Sequence, residues 1–333
     1  MPGPKRGRRG MIVAGLLAAA TTACAGFVVA ARAGWLSRDE RTVVSRHETP
    51  GSRFVTVEGV RIHYLDEGPR LDEGSKPPVL LLHGSYLDVH AYDGWTRDLA
   101  RDHRVVRLDR PAFGLTGHDP HPTAGYEREA DVVAAFADRL GIRDAVLVGA
   151  SSGGTTAARI AAHRPDLVSR LVLINFPLAR RYIKPERAYA LSIWLRDEVL
   201  LNYQPAWLTR WMLNQNLADN AAASPAMVRR LTDEANRPGV LEDRRRLEAG
   251  AHGYTQAERE ADLAAIRAPS LLIWGRDNPL LTVKSGQDAF ARVGAAQKRM
   301  AVIDHASHMI PVEKSAESLA LVRAFLAETD AER

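Results

Sequence analysis

A single cysteine, Cys24, leaves this chain without any internal disulfide, so its fold does not depend on an oxidising compartment. The 11 histidines are scattered, and no His-x-x-x-His pair stands with an acid on a helical stretch, so no metal site is expected. Aromatic residues make up only 6% of the chain and are not interleaved with basic clusters, and part of the net charge of +5 comes from Lys5, Arg6, Arg8 and Arg9. Nucleic acid is therefore not an expected partner. No internal repeat appears. With 46% apolar and 26% charged residues, the 333 residues can form one large domain with an insertion, or two small ones.

One long hydrophobic run exists, from Met11 to Ala31, and it is about as long as a bilayer is thick. Four cations precede it, while Arg32 and Arg38 follow it more sparsely. This asymmetry predicts a signal anchor over residues 1–38, with the N-terminus cytoplasmic and the rest of the chain extracytoplasmic. A cleaved signal peptide is the alternative, because small-residue sites such as Ala18-Ala19-Ala20 occur, and it would yield a secreted protein. A lipoprotein signal acylated at Cys24 fits less well, since Thr21 stands where such signals carry leucine.

The sequence Leu147-Val148-Gly149-Ala150-Ser151-Ser152-Gly153-Gly154 is an apolar run ending in small residues spaced two before and two after Ser151. A sharp strand-to-helix turn needs that spacing, because a serine at its tip takes strained angles while the neighbouring chain passes close. A helix opening near Ser152 would aim its amides and positive dipole end at a developing oxyanion. The same residues also suit an ordinary helix start capped by Ser151 or Ser152, so partners elsewhere decide.

A serine nucleophile needs a histidine to take its proton and a carboxylate to hold that histidine's tautomer. Such partners stand at strand ends. The run Pro269 to Gly275 ends in a turn signal followed by Arg276-Asp277-Asn278-Pro279, which puts Asp277 at a strand's C-terminal end. Met300 to Ile303 is another short strand, followed by Asp304-His305-Ala306-Ser307-His308; either histidine can serve as base.

With these motifs the chain resembles the serine-nucleophile branch of the α/β-hydrolase fold family, from about Arg53 to the C-terminus. Val79 to Ser85, with its His83-Gly84 pair, is similar to that family's oxyanion-loop strand, and Leu108 to Thr116 to its next strand end and loop, with Ala112 where many relatives have glycine. The resemblance implies backbone N–H donors at Ser85 and Ser152. It selects His308, in Ser307-His308-Met309-Ile310-Pro311-Val312-Glu313, over His305. The family's usual register for the acid falls on Asn278, and its alternative site, after Leu171 to Ile174, on Asn175. Asp277 is the only carboxylate at a plausible place and is the expected acid, reached by a one-residue shift of the turn. Asn278 holding the slot is the alternative. His83 and His63 are expected to be structural.

The implied activity is ester hydrolysis through an acyl-enzyme, without cofactor or metal, on small or medium-sized substrates. Carbon–carbon bond hydrolysis of ring-cleavage products is the nearest rival, and a non-catalytic ligand-binding protein on the same fold is a second class. A serine in place of aspartate disfavours epoxide hydrolase and haloalkane dehalogenase chemistry.

Strands are expected at 54–57, 61–65, 79–82, 104–108, 145–148, 170–174, 270–274 and 300–303, with helical spacing at 126–140, 152–163 and 312–327. This alternation reads as a mostly parallel eight-stranded α/β sheet with helices on both faces. Residues 39–175 and 267–333 form its core. The stretch 176–266, far longer than a crossover needs, reads as a helical cap inserted after the sixth strand. Its aromatics, Trp194, Tyr203, Trp207 and Trp211 among them, mostly pack that cap. Arg229-Arg230 and Arg244-Arg245-Arg246 read as solvated helix faces. Oligomeric state is not legible.

Overall fold

The computed structural model describes residues 5–69, 76–178, 187–251 and 253–331, so most of the breaker-rich loop from Pro69 to Pro78 lies outside the described residues. All eight expected strands form: β1 (Arg53–Val57), β2 (Val60–Glu67), β3 (Val79–Leu82), β4 (Val105–Leu108), β5 (Ala145–Ala150), β6 (Val168–Ile174), β7 (Ser270–Gly275) and β8 (Lys298–Ile303). They pair in the order β1-β2-β4-β3-β5-β6-β7-β8, with β2 antiparallel to both neighbours and every other pairing parallel. Strands β3 to β7 are buried throughout, as continuous apolar runs in a sheet covered on both faces must be.

The helices are α1 (Lys5–Arg32), α2 (Glu40–His47), α3 (Asp93–Leu99), α4 (Tyr126–Arg139), α5 (Ser152–His163), α6 (Arg187–Trp194), α7 (Ala206–Asn214), α8 (Pro225–Ala235), α9 (Val240–Gly250), α10 (Gln256–Ala265), α11 (Val283–Arg292), α12 (Ile310–Glu313) and α13 (Ser315–Ala331). Side chains alternate along the strands, so each strand feeds two cores. Leu80, Leu147 and Leu173 meet Val133 and Phe136 of α4 and Ile160 of α5 on one face; Leu81, Val148 and Val172 meet Trp95 of α3 and Phe325 of α13 on the other.

Between β6 and β7 the described residues are mainly helical, and the last of these helices, α10, returns to pack Leu263 into the α4–α5 core. Helix α1 is exposed from Met11 to Phe27, with mean hydropathy 2.1 over Met11–Arg32, making it long and apolar enough to cross a membrane. Only its end is docked. Arg32 Nη1 donates to the Glu198 carbonyl at 2.5 Å, Asn202 Nδ2 donates to the Arg32 carbonyl at 2.7 Å, and Phe27 meets Tyr203 edge-on at 5.8 Å.

Candidate active site

Strand β5 delivers Ser151 at its C-terminal end with φ +52 and ψ −126, a conformation costly for any residue with a Cβ. Two glycines make the turn sterically possible. A Cβ on Gly149 would stand 2.3 Å from the Gly153 carbonyl oxygen, and one on Gly153 would stand 2.4 Å from that of His83. As the first residue of α5, Ser152 has an N–H with no intrahelical acceptor. The Ser85 N–H likewise has no acceptor among the described residues. Their hydroxyls lie 2.8 Å apart, tying the His83-Gly84-Ser85 loop to the elbow.

A buried ion pair reinforces that tie. Arg110 Nη1 donates to Ser152 Oγ at 2.8 Å and to the His83 carbonyl at 2.6 Å, while its other nitrogens grip both carboxylate oxygens of Glu129. Thr156 Oγ1 also donates to Glu129, at 2.9 Å. His83 donates from Nδ1 to the Gly84 carbonyl at 2.7 Å and accepts the Arg110 N–H at Nε2, 3.1 Å away. Burial, aided by the nearby Arg110 charge, pushes its pKa down to about 4, so the ring is neutral. Its contacts are those of a structural histidine. The sequence marks Glu129 only as an acid near a helix start and Arg110 only as part of a loop; the charged pair Asp109-Arg110 directly after strand β4 is the available signal.

His308, in the loop after β8, places Nε2 2.9 Å from Ser151 Oγ. Its backbone is held from two sides. Asn175, at the end of β6, donates from Nδ2 to the Ser307 and His308 carbonyls at 2.9 and 3.0 Å and accepts the Gly275 N–H at 3.0 Å. The His308 N–H donates to the Asn216 carbonyl of the helical insertion at 3.1 Å. Asn175 thus acts as a clip on the loop's backbone.

The acid expected at Asp277 is not beside His308. Asp277 points outward, its side chain 54% exposed, and its neighbour there is the surface residue His305, with Nδ1 3.8 Å from Oδ2. The turn after β7 fixes this. The Asp277 N–H is bound to the Ala306 carbonyl at 2.9 Å, and the next residue, Asn278, turns inward instead. Asn278 is buried, with Nδ2 3.1 Å from His308 Nδ1.

The amide's orientation is fixed by the backbone around it. Asn278 Oδ1 accepts the N–H groups of Leu280 and Leu281 at 3.0 and 3.1 Å, and a reversed amide would set its own donors against those two donors. Nδ2 therefore donates to His308 Nδ1, and a neutral ring must carry its proton on Nε2, facing Ser151. A general base needs the opposite tautomer, with the Nε2 lone pair free. Burial pushes the His308 pKa down to about 4, with no carboxylate to oppose it. The ring is neutral at ordinary pH and weakly basic.

An eight-stranded, mostly parallel sheet with a strained serine elbow and a strand-end histidine defines the α/β hydrolases. The family's sequence profile, the α/β hydrolase fold, matches residues 77–315, well over half of the chain, and the chain belongs to that family. Among curated proteins it is similar to 2-hydroxymuconate semialdehyde hydrolase of Pseudomonas sp. strain CF600, 27% identical over 84% of this chain and 95% of that one. It is also similar to 2-hydroxy-6-oxo-2,4-heptadienoate hydrolase of Pseudomonas putida strain F1, 26% identical over 78% and 92%. Among solved structures, a membrane phospholipase A described as a bacterial virulence factor matches with TM-score 0.69 and 25% identity over 98% of this chain and 99% of that one.

Proposed function

We propose that this chain is a serine hydrolase cleaving a carboxylic ester of a small or medium-sized substrate through an acyl-enzyme intermediate. The observation that carries the reading is the 2.9 Å approach of His308 Nε2 to Ser151 Oγ, at a strained elbow flanked by two acceptor-free amides. Ser151 Oγ attacks the carbonyl carbon, and the Ser85 and Ser152 N–H groups receive the oxyanion. His308 takes the serine proton and passes it to the leaving alcohol. Water then repeats the sequence to release the acid. The scheme calls on no cofactor or metal. Residues 176–266 act as a cap over the site.

Asn278 sets the pace in this scheme. Before each attack His308 must leave the tautomer that the amide favours, and the imidazolium that follows has no carboxylate beside it. In serine proteases the aspartate-to-asparagine change costs about 10⁴ in turnover for this reason. The proposed enzyme is accordingly slow. Carbon–carbon bond hydrolysis stands as the second reading, favoured by the names of the two curated relatives. A ligand-binding role without turnover is favoured only by the Asn278 contact.

A fluorophosphonate probe separates these classes. Slow labelling of the folded full-length protein, abolished in Ser151→Ala, is expected; no labelling over hours would sink the hydrolase reading. A panel of p-nitrophenyl esters beside a dienone substrate then distinguishes ester from carbon–carbon cleavage.

We further propose that α1 is a retained membrane anchor with the catalytic domain extracytoplasmic. Its exposed apolar surface, long enough to cross a membrane, supports this. N-terminal sequencing of the membrane-extracted protein tests it; a mature chain beginning at Thr21 or later would overturn it.

A further inference from the structure

Arg244 was expected on a solvated face of α9, yet it is only 3% exposed. Its Nε donates to the Ala112 carbonyl at 3.0 Å, and its guanidinium carbon sits 4.9 Å from the Phe113 ring centre and 5.9 Å from that of Tyr86. No carboxylate pairs with it, and its terminal nitrogens make no hydrogen bond among the described residues. Buried charges are normally paired, because an isolated one forfeits its hydration without return.

A second cation stands nearby. Arg196 is fully buried, stacked 4.9 Å from the Tyr86 ring centre, and its Nη1 has no partner although its other nitrogens reach Asp197 and Glu248. Glu248 is already committed to Arg196 and to the Tyr86 hydroxyl. Burial, then the like charge of Arg196, push the Arg244 pKa down to about 10, which still leaves it cationic at neutral pH.

Arg244 lines a small cavity with Tyr86, Gln204, Met212, Leu231 and Met309. Two of these adjoin the proposed catalytic groups in sequence: Tyr86 follows Ser85 and Met309 follows His308. Gln204 Oε1 also lacks a donor, leaving a place for an O–H or N–H of the same ligand.

We infer that Arg244, with the like charge of Arg196 close by, anchors a subsite for an oxyanion on the substrate, a carboxylate or a phosphate, held in the cavity between the Ser85-Tyr86 loop and α9. This rests on the hydrolase reading for the word substrate, but not for the binding itself. A planar guanidinium fork with two free nitrogens matches either anion. The ligand supplies the direct partner that the terminal nitrogens of Arg244 lack.

The test has a catalytic and a binding arm on the full-length protein in detergent. The 4-carboxybutanoyl ester of p-nitrophenol should exceed the neutral pentanoyl ester in kcat/KM by tenfold or more. Arg244→Leu should reduce that ratio to about one, Arg244→Lys should leave an intermediate ratio, and Arg229→Leu, on the exposed surface, should leave it unaltered.

In the binding arm, hexanoate or hexyl phosphate should raise the melting temperature of Ser151→Ala, whereas hexanamide should not. A shift with hexanoate alone assigns a carboxylate, and with hexyl phosphate alone a phosphate. If no ester is turned over but an anion shift appears and is lost in Arg244→Leu, the subsite stands while the hydrolase reading falls. A shift by neither anion, an equal shift by hexanamide, or one unchanged in both Arg244 variants would overturn the inference.

Discussion

Two serine–histidine relays occupy this molecule, and they are built from opposite halves of what a hydrolase needs. In the first, Ser52 Oγ lies 2.9 Å from His63 Nε2, and His63 Nδ1 lies 2.7 Å from Asp109 Oδ2. A carboxylate stands behind its histidine. Yet Ser52 Oγ already accepts the Thr49 N–H at 2.9 Å, no helix N-terminus faces it, and Asp109 also receives the Val89 and Leu115 N–H groups. Gly114 packs so tightly on that carboxyl that a Cβ there would fall 1.9 Å from Asp109 Cγ. This relay ties loops together. The second, Ser151 with His308, has the strained elbow, the helix start and the acceptor-free amides, but an amide where the carboxylate belongs. On the proposed hydrolase reading, the comparison separates two ingredients: the surroundings of the serine, which make it reactive, and the charge behind its histidine, which sets the rate.

Exchanging the missing half between the relays should have unequal consequences. Asn278→Asp should raise ester turnover by roughly 10² to 10⁴, the inverse of the aspartate-to-asparagine loss in serine proteases, read by steady-state kinetics. A change below threefold would mean that Asn278 does not limit the rate. Asp109→Asn should instead leave fluorophosphonate labelling of the folded protein intact and cost about 2–4 kcal/mol of stability in chemical denaturation, as expected when a buried charged acceptor is lost.

Acidity should register next. His308 and His83 both titrate near pH 4 when folded, against 6.5 for an unperturbed histidine, so between those values the unfolded chain binds more protons. The contribution of these two groups to stability should therefore fall as pH drops from about 6.5 to about 4 and be level above that window. Asn278→Asp should shrink this slope, because a carboxylate would pull the His308 pKa upward. Equal denaturation midpoints at pH 5 and pH 7 would contradict the burial of neutral imidazoles. The smallest effect belongs to Asp277→Asn, whose exposed side chain touches nothing in the site; turnover should change less than twofold.

Most of the fold was legible because long parallel strands are apolar throughout and end in recognisable turns, as at Ala150-Ser151 and Gly275-Arg276. The phase of a turn is another matter. Asp277 and Asn278 are adjacent, and which one faces His308 depends on a hydrogen bond from the Asp277 N–H to Ala306, 29 residues further on. No local pattern carries that. Arg244 escaped for a related reason: three consecutive arginines on a helix point in three directions, and only the packing of α9 against Phe113 and Tyr86 decides which is buried. The Ser52 relay was invisible too, since its members come from a turn, an edge hairpin and a strand end.

The central claim is that Asn278 holds His308 in the tautomer with its proton on Nε2. Nitrogen-15 chemical shifts of the His308 ring at neutral pH, assigned by comparison with His308→Gln, report that proton directly. The structure predicts a protonated Nε2 and a bare Nδ1 in the native chain, exchanging places in Asn278→Asp. A protonated Nδ1 in the native protein would contradict the account.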